Sequence, residues 1–304
     1  MKRISRIFFL FFLLVLTRQS PAFGTTYDCF LFFNELDMLD VRLHEMGPYI
    51  DKFILVESVE TFSGKDKPLY YMENKGRYEE FQDKIIHIVV EKQAFSNPWD
   101  RESFQRNQIM RGLQEAALDD IIFISDLDEI VRGKKIPLIA QEVPRRGFSA
   151  CMQSLHTFHL NTYAGTPWYG TKVMPYFWLL ANSPQKTRHA YRPSEIFIFA
   201  DAGWHFSWIG GKEANIAKLE SFSHQEYNLS EYKSDEALQR GLNLHEWNFT
   251  QVDDRFPSYI VDNIAYFEKK GFILSELEAR SLGSRIQFEN RPLIFKMCLE
   301  CAPL

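Results

Sequence analysis

The ten residues Ile121–Ile130, with the sequence IIFISDLDEI, constrain the fold of this chain more than any other segment. A short β-branched apolar run bounded by polar residues is typical of a strand buried on both faces. Because side chains alternate along a strand, Asp126 and Asp128 point to the same side if the extended conformation continues through Leu127. Two carboxylates at the carboxyl end of a buried strand suit Mg²⁺ or Mn²⁺, which keep positions open for phosphate oxygens. The alternative is an aspartate-rich turn that follows a core strand.

Strands and amphipathic helices alternate along the first half of the chain. The pattern predicts strands at Tyr27–Phe33, Phe53–Glu57, Lys84–Val90 and Ile121–Ser125, a helix that begins after an Asn34 N-cap and ends at Gly47-Pro48, and a long helix at Asp100–Leu118. Such alternation is typical of βαβ units with right-handed crossovers. We therefore predict an α/β fold with a mainly parallel sheet, and ligands at the carboxyl ends of its strands.

The second half of the chain has a different pattern. Short aromatic runs alternate with polar turns and predict mixed or antiparallel strands at Phe148–Leu160, Pro175–Leu180, Ile196–Ala200 and Trp204–Trp208. Helices are expected near Glu213–Phe222 and Ser234–Leu242. Because no repeat, low-complexity tract or Pro/Gly/Ser linker separates the halves, we predict one continuous globular unit over residues 25–304.

Residues 1–24 form a leader that is set apart from the fold. Lys2, Arg3 and Arg6 precede the apolar run Ile7–Leu16, and the small-x-small pattern Ala22-Phe23-Gly24 follows. This arrangement is typical of a signal peptide. The apolar run is about half of the roughly 20 residues that span a bilayer. A cleaved signal peptide is favoured over an uncleaved amino-terminal anchor, so we expect a protein that is exported (secreted, periplasmic or lumenal) or membrane-anchored.

Charge and cysteine content exclude several classes of protein. The net charge is −5 and no basic stripe is visible, so a nucleic-acid partner is not expected. Four cysteines are too few for a disulfide scaffold. We expect Cys29 to be a small buried hydrophobe. We expect Cys298-x-x-Cys301 to form a local disulfide or to have no function, with a redox pair or half of a zinc site as the alternatives. Phosphate-loop, dinucleotide-binding and nucleophile-elbow glycine motifs are absent from the sequence.

Two charged residues continue the apolar face of the predicted helix Asp100–Leu118. Stepping back from Met110 by helical spacing gives Arg106 and then Glu102. The start of this helix should lie at the same sheet edge as Asp126, where Arg106 can meet a phosphate or orient a carboxylate. A simple i,i+4 ion pair between Glu102 and Arg106 is the alternative.

His205 lies among aromatic residues in the segment Asp201–Trp208. A single histidine in such surroundings is usually a core residue. A metal ligand is the alternative, although no dense metal-binding spacing of histidines is present.

Five segments occur in order between residues 27 and 225, and they are Tyr27–Leu43, Glu57–Leu69, Trp99–Asn107, Ile124–Ile130 and Gly203–Ser207. Together they resemble glycosyltransferase family 17, the β-1,4-mannosyl-glycoprotein 4-β-N-acetylglucosaminyltransferase family, with a GT-A-like fold. The resemblance implies a nucleotide-sugar-binding half over residues 25–147, and an acceptor half with carboxyl-terminal helices over residues 148–304. Eukaryotic members of the family are anchored in the Golgi lumen.

The resemblance also implies a donor site and a metal ion. The donor would be a UDP-sugar, UDP-GlcNAc, and a divalent ion, Mn²⁺ or Mg²⁺, would bridge Asp128 to the diphosphate. Asp126 would contact the ribose or a metal-bound water, and His205 would complete the metal shell. The residues expected to contact the donor are Asn34, Glu57, Glu102, Arg106 and Asp126.

The implied reaction is the transfer of N-acetylglucosamine to a mannose-containing glycan or glycoprotein in β-1,4 linkage, with inversion at the anomeric carbon. Inversion requires a carboxylate that deprotonates the acceptor hydroxyl. Glu129, Asp201 and Glu213 are the candidates, and the sequence does not choose among them. Two other functions fit the same residues, a non-catalytic carbohydrate-binding protein on this fold and a metal-dependent phosphoesterase.

Overall fold

The computed structural model of the protein describes residues 24–190, 195–241 and 247–283. The predicted signal sequence, apart from Gly24, and the Cys298–Cys301 motif lie outside these ranges. The strands of the described chain are β1 Thr26–Phe32, β2 Lys52–Ser58, β3 Ile85–Val90, β4 Ile121–Asp126, β5 Glu129–Val131, β6 Ser149–Thr157, β7 Thr162–Trp168, β8 Lys172–Pro175, β9 Phe197–Ser207 and β10 Asn248–Phe249.

The helices surround these strands. The α-helices are α1 Leu36–Met46, α2 Tyr70–Glu73, α3 Pro98–Asn107, α4 Ile136–Arg146, α5 Tyr176–Leu180, α6 Pro184–His189, α7 Gly211–Ser221, α8 Asp235–Gly241, α9 Ser258–Asp262, α10 Ile264–Lys269 and α11 Glu276–Ser281. Short 3₁₀ segments lie at Lys75–Phe81, Gln108–Gly112, Gly133–Lys135, Gln225–Tyr227 and Ser230–Tyr232. Within the described ranges, no helix has the length and apolar character needed to cross a membrane.

The sheet has a parallel part built from the first half of the chain. Strands β3, β2, β1 and β4 are neighbours in that order, and each adjacent pair is parallel. Strand β4 lies between β1 and β8, and Ile121–Ile124 are fully buried. The α/β class with a mainly parallel central sheet is therefore confirmed. Alternate residues of β1 and β4 pack on opposite faces, with Phe30 and Phe123 in one core cluster and Cys29 and Ile124 in the other.

The second half adds the mixed part of the sheet, as predicted. Strand β8 pairs antiparallel with β4 and β6, and β7 pairs antiparallel with β6 and β10. Strand β9 runs parallel to β6, and its carboxyl half pairs antiparallel with β5. These pairings bring the chain after β4 next to the end of β9.

Three of the predicted aromatic strands differ from the structure. The run Pro175–Leu180 is the end of β8 followed by helix α5, because a short apolar run fits a buried strand and a buried helix equally well. The runs Ile196–Ala200 and Trp204–Trp208 belong to one long strand, β9. Gly203 continues this strand with a φ of 146°, a conformation that glycine adopts readily.

Helix α3 is shorter than the predicted helix Asp100–Leu118. It begins at Pro98 after Asn97, whose side chain accepts a hydrogen bond from the backbone N–H of Trp99, a favoured N-cap arrangement. It ends at Asn107 and gives way to a 3₁₀ turn. A Cβ on Gly112 would lie 2.8 Å from Ile54 Cγ2. The chain after the helix therefore packs closely against β2.

The first helix does not have the predicted cap. Glu35, and not Asn34, precedes the first helical residue, and its side chain makes no capping hydrogen bond. The reason is a tight turn before the helix, in which the backbone N–H of Leu36 donates to the carbonyl of Asn34 over 2.9 Å. The predicted end of the helix at Gly47 is confirmed.

Candidate active site

A cavity of about 520 Å³ lies at the carboxyl ends of the parallel strands. The residues after β1, β2 and β4 form its floor, and helices α3, α6 and α7 and the end of β9 form its walls. Its volume is in the range of about 300–1,000 Å³ that small-molecule sites occupy. Five of the predicted site residues line it, and they are Glu102, Arg106, Asp126, Asp128 and His205.

Asp126 ends β4 and is held by two arginines. Arg106 Nη1 lies 2.8 Å from its Oδ1, and Arg188 Nη2 lies 2.9 Å from its Oδ2. Burial alone would raise the pKa of Asp126, but the two guanidinium groups hold that pKa well below its ordinary value. The carboxylate therefore stays charged and fixed in orientation.

Arg106 links Asp126 to helix α3. Its Nη2 lies 2.7 Å from Glu102 Oε1, and its Nε donates to Gln185 Oε1 over 2.8 Å. Glu102 in turn accepts a hydrogen bond from the hydroxyl of Ser223. Arg106 therefore makes both of the contacts considered from the sequence. It holds the carboxylate of Asp126, and it forms the i,i+4 ion pair with Glu102.

Asp128 follows β4 in the turn before β5 and faces two basic side chains. Lys218 Nζ on α7 lies 3.2 Å from its Oδ2, and His205 Nε2 on β9 lies 3.4 Å from its Oδ1. Burial would raise the pKa of Asp128, but Lys218 and then His205 hold that pKa below its ordinary value. The pairing of β5 with β9 places Glu129 opposite His205, so strand register brings these groups together.

Glu129 lies just beneath the cavity and is fully buried. Its Oε1 accepts from Arg188 Nη2 at 2.6 Å and from Trp168 Nε1 at 2.7 Å, and its Oε2 accepts from the backbone N–H of Asp126 at 3.1 Å. A Cβ on Gly170 would lie 2.0 Å from Glu129 Oε1. Glycine at this position is therefore required for the close packing around the carboxylate.

Sequence comparison identifies the family. The model of glycosyltransferase family 17 matches residues 16–246, which is most of the chain. The chain belongs to glycosyltransferase family 17.

Relatives of family 17 match a shorter part of the chain. The β-1,4-mannosyl-glycoprotein 4-β-N-acetylglucosaminyltransferase of Homo sapiens is 29% identical over 106 residues, which cover 32% of this chain and 20% of that protein. The enzyme of the same name from Rattus norvegicus has the same identity and coverage. The matched part therefore spans about a fifth of the length of these relatives.

Solved structures with similar folds have low identity to this chain. GalNAc-T7 with UDP, GalNAc and Mn²⁺ is 10% identical with a TM-score of 0.38, covering 83% of this chain and 58% of that one. The mannosyltransferase PcManGT from Pyrobaculum calidifontis, in complex with GDP-Man and Mn²⁺, is 12% identical with a TM-score of 0.37, covering 86% and 79%. S. aureus TarS 1-349 is 11% identical with a TM-score of 0.37, covering 85% and 77%.

Asp128 and His205 offer two donor atoms for a divalent ion. Asp128 Oδ1 and His205 Nε2 lie 3.4 Å apart. Two adjacent ligand atoms of an octahedral ion lie roughly 3 Å apart when each bond to the ion is about 2.1 Å, so the two distances are similar. Mg²⁺ commonly takes only one or two protein carboxylates, and phosphate oxygens and water complete its shell. No group of three histidine, cysteine, aspartate or glutamate side chains in the described ranges has a metal-binding arrangement. The two residues fit an ion that the substrate helps to hold.

His205 fits this role less well than Asp128. A metal-bound histidine carries its proton on the other ring nitrogen and normally donates it to an acceptor. His205 Nδ1 is buried and has no hydrogen-bond partner among the described residues. Trp168 packs against the imidazole, with ring centroids 4.6 Å apart. His205 is therefore expected to be the weaker of the two ligands.

Asp201 and Glu213, the other two candidate bases, are not among the described residues that line the cavity. Asp201 is in the middle of β9, has a φ of 48° and pairs with Arg132 Nη2 at 3.1 Å. It precedes His205 by four residues, or about 13 Å along an extended strand. Glu213 is exposed in the first turn of α7. Of the three candidates, only Glu129 contacts described residues that line the cavity.

Glu57 and Asn34, which were predicted to bind the donor, are also not among the described residues that line the cavity. Glu57 is fully buried at the end of β2, where it accepts from the backbone N–H of Tyr71 at 2.8 Å and lies 3.0 Å from His87 Nε2. Its Oε1 lies 3.8 Å from Nζ of Lys67, which does line the cavity. Asn34 is in the turn before α1, beside the lining residues Phe33 and Glu35.

Arg42 supports the site and was not predicted. It is fully buried and forms a bidentate pair with Asp28, at 2.7 and 2.6 Å. Its Nη1 also donates to the backbone carbonyls of Asp126, Leu127 and Glu129, at 2.9, 2.9 and 3.0 Å. Arg42 therefore fixes the backbone of the turn that carries both aspartates. The sequence indicated that Arg42 is buried, because it lies three residues after Leu39 and therefore on the apolar face of α1.

Arg188, Lys218 and Trp168 were also missed. Each reaches the site from a different segment, namely α6, α7 and the end of β7. No local motif marks any of them, so a single sequence carries no signal for their role.

Proposed function

We propose that the protein is a metal-dependent inverting glycosyltransferase that transfers N-acetylglucosamine from UDP-GlcNAc to a mannose-containing glycan in β-1,4 linkage. The observation that supports this proposal most is the arrangement around Asp126 and Asp128. In a chain of family 17, these two carboxylates lie in a cavity at the carboxyl ends of parallel strands, surrounded by the cationic groups of Arg106, Arg188 and Lys218.

The cationic side chains suit a donor with a diphosphate. Lys218 lines the cavity, and burial would lower its pKa, but Asp128 raises that pKa above the ordinary value. Its ammonium group is therefore charged and lies where phosphate oxygens can reach it. Lys67 lines the cavity beyond the end of β2, where it can contact the nucleotide. Asp126, fixed by its two arginines, is placed to accept hydrogen bonds from the ribose or from an ordered water.

Asp128 would hold the divalent ion, with His205 as a second ligand. When bound, the ion neutralises charge on the leaving diphosphate, a contribution of several kcal/mol to the barrier. The protein's own residues bind and orient the donor around this point. Arg106 and Arg188 keep Asp126 in place, and Trp168 covers one side of His205.

Among the three candidate bases, we favour Glu129. It contacts Arg188, Trp168 and Asp126, all of which line the cavity. To accept a proton from the acceptor hydroxyl, Glu129 Oε1 must exchange its bond to Trp168 or Arg188 for one to the acceptor. Glu129→Gln should therefore abolish transfer while donor binding persists, as measured by turnover and by calorimetric titration with UDP-GlcNAc.

Both carboxylate oxygens of Glu129 already accept hydrogen bonds, which is also compatible with a second candidate function. A carboxylate with both oxygens engaged can be purely structural, and if no other base takes its place the protein would bind carbohydrate on the same fold without catalysis. A metal-dependent phosphoesterase that uses the same carboxylates is a third candidate.

One assay separates the three functions. The protein is incubated with UDP-GlcNAc, Mn²⁺ and mannose-containing glycans, and the release of UDP is measured with and without the glycan. UDP release that requires the glycan supports transfer, and glycan binding without turnover supports the carbohydrate-binding function. Cleavage of phosphate esters regardless of the sugar supports the phosphoesterase. Asp235→Asn, at a carboxylate that is 77% exposed in its pair with Lys212 and does not line the cavity, is the matched control for Asp128→Asn.

The proposed partners and location follow from the reaction. The donor is a nucleotide sugar, and the acceptor is a glycan or glycoprotein in an exported, lumenal or membrane-attached setting. Amino-terminal sequencing of the mature protein tests whether the leader is removed.

A further inference from the structure

An exposed apolar patch lies at the edge of the sheet opposite the cavity. Its members are large side chains near the amino-terminal end of β4 and the start of β9. They are Leu118 (61% exposed), Phe177 (52%), Trp178 (39%), Leu180 (51%) and Phe197 (37%). We call these five residues the basal patch.

Neighbouring contacts connect most of the basal patch. The backbone N–H of Phe177 donates to the carbonyl of Leu118 over 2.9 Å. Trp178 stacks on Phe148, with ring centroids 5.5 Å apart and planes 8° from parallel. The next residue in β6 after Phe148 pairs with Phe197 in β9. The apolar side chains thus extend from the loop before β4 to the start of β9.

The chain enters the described structure beside this patch. The backbone N–H of Thr25 donates to Asp120 Oδ1 over 2.6 Å, and that of Ile121 donates to the carbonyl of Thr25 over 2.9 Å. A Cβ on Gly24 would lie 2.6 Å from the carbonyl oxygen of Asp119. Gly24 therefore packs against the residue that follows Leu118.

The sequence before Gly24 contains an apolar segment that is close enough along the chain to share a bilayer with this patch. Residues 17–23 separate the apolar run Ile7–Leu16 from Gly24, and seven residues reach at most about 25 Å. The run is about half of the roughly 20 residues needed to span a bilayer, so a second contact is needed for firm attachment. Lipid-anchored proteins show the same need, because one acyl chain alone gives only marginal membrane binding and a second signal makes it stable.

We propose that the leader is retained as an anchor, the alternative to cleavage, and that the basal patch is a membrane-contact surface on the same bilayer. Aromatic residues such as Trp178 are favoured at the boundary between lipid and water. Arg146, whose guanidinium lies 4.2 Å above the Phe197 ring, adds a cation at the rim that suits anionic headgroups. The parallel strands separate the patch from Asp126, so the cavity opens away from the lipid. This proposal does not depend on the transfer reaction.

The test compares two triple variants of the full chain. In the first, Leu118→Ser, Phe177→Ser and Leu180→Ser remove exposed apolar groups of the basal patch. In the matched control, Met72→Ser, Leu229→Ser and Leu277→Ser remove groups that are 47%, 48% and 79% exposed elsewhere. Association with phosphatidylcholine–phosphatidylserine vesicles is measured by flotation, the oligomeric state by light scattering, and the melting temperature by circular dichroism.

We expect the patch variant to lose at least about tenfold in vesicle partitioning, and the control variant to partition as the native chain does. Three results would overturn the proposal. The first is a native chain that does not float, or a patch variant that floats like the control. The second is a change from dimer to monomer with flotation unchanged, because a second copy then covers the patch. The third is a lower melting temperature with flotation unchanged, because residues 284–304 then cover it.

Discussion

Replacing Arg42 with methionine should destabilise the whole protein and disorder the active-site turn. Arg42 and Asp28 are both fully buried, and Arg42 also serves the carbonyls of Asp126, Leu127 and Glu129. Removing one partner of a buried ion pair leaves an uncompensated charge and costs about 3–5 kcal/mol. At about 2–4 °C per kcal/mol for a domain of this size class, the melting temperature should fall by roughly 6–20 °C.

A double-mutant cycle tests the physical reason for this effect. Asp28→Leu with Arg42→Met removes both charges, so the loss should be smaller than the sum of the single losses by at least about 2 kcal/mol. The three carbonyls still lack a donor, so recovery is incomplete. Arg145→Met is the control, because Arg145 is 70% exposed in its pair with Glu142 and such pairs contribute at most about 1 kcal/mol.

Thermal and urea unfolding are measured for the native chain, the two single variants, the double variant and the Arg145→Met control. The affinity for UDP-GlcNAc is measured for each variant that is folded. Donor affinity should fall in Arg42→Met, because the backbone of the aspartate turn is no longer fixed. A melting temperature within about 2 °C of the native value, or strictly additive losses, would show that Arg42 does not hold this turn.

Three further predictions concern single side chains. Asp128→Asn should abolish transfer with the fold retained, while His205→Ala should only raise the Mn²⁺ needed for half-maximal turnover; equal losses in both would contradict the ranking of the two ligands. Burial lowers the pKa of His156 to about 3 from 6.5, so the unfolded chain binds the proton first and stability falls as the pH is lowered. Between pH 6.5 and 5 the native chain should lose about 1.7 kcal/mol more than His156→Phe in urea unfolding. Gly170→Ala should lower the melting temperature and transfer together, because its Cβ would lie 2.0 Å from Glu129 Oε1 and 2.2 Å from Trp168 Nε1; unchanged activity would rule out a role for this contact.

The sequence predicted those parts of the fold and site that depend on local pattern. The buried strand before Asp126 and the α/β alternation were readable because apolar periodicity is a local property. Arg106 lies 2.8 Å from Asp126, on the side that helical spacing predicted, although the reference residue Met110 lies in the 3₁₀ turn after the helix. The same argument applied to α1 would have identified Arg42.

The parts that were missed depend on contacts between distant segments. Arg188 meets Asp126 across 62 positions, and Lys218 meets Asp128 across 90. Periodicity in one segment contains no information about such partners. Helix α3 was also predicted too long, and the chain after it packs against another strand, where a Cβ on Gly112 would lie 2.8 Å from Ile54 Cγ2.

The distance along the chain between partners in the site has a consequence for folding. Ser223 and Glu102, which are 121 positions apart, close the bond network that begins at Asp126 and Arg106. Contacts between distant segments form late, because the entropy of loop closure must be overcome first. The site should therefore be absent from early folding intermediates. A nucleotide sugar would then bind only the completed fold and, by mass action, would oppose its global unfolding.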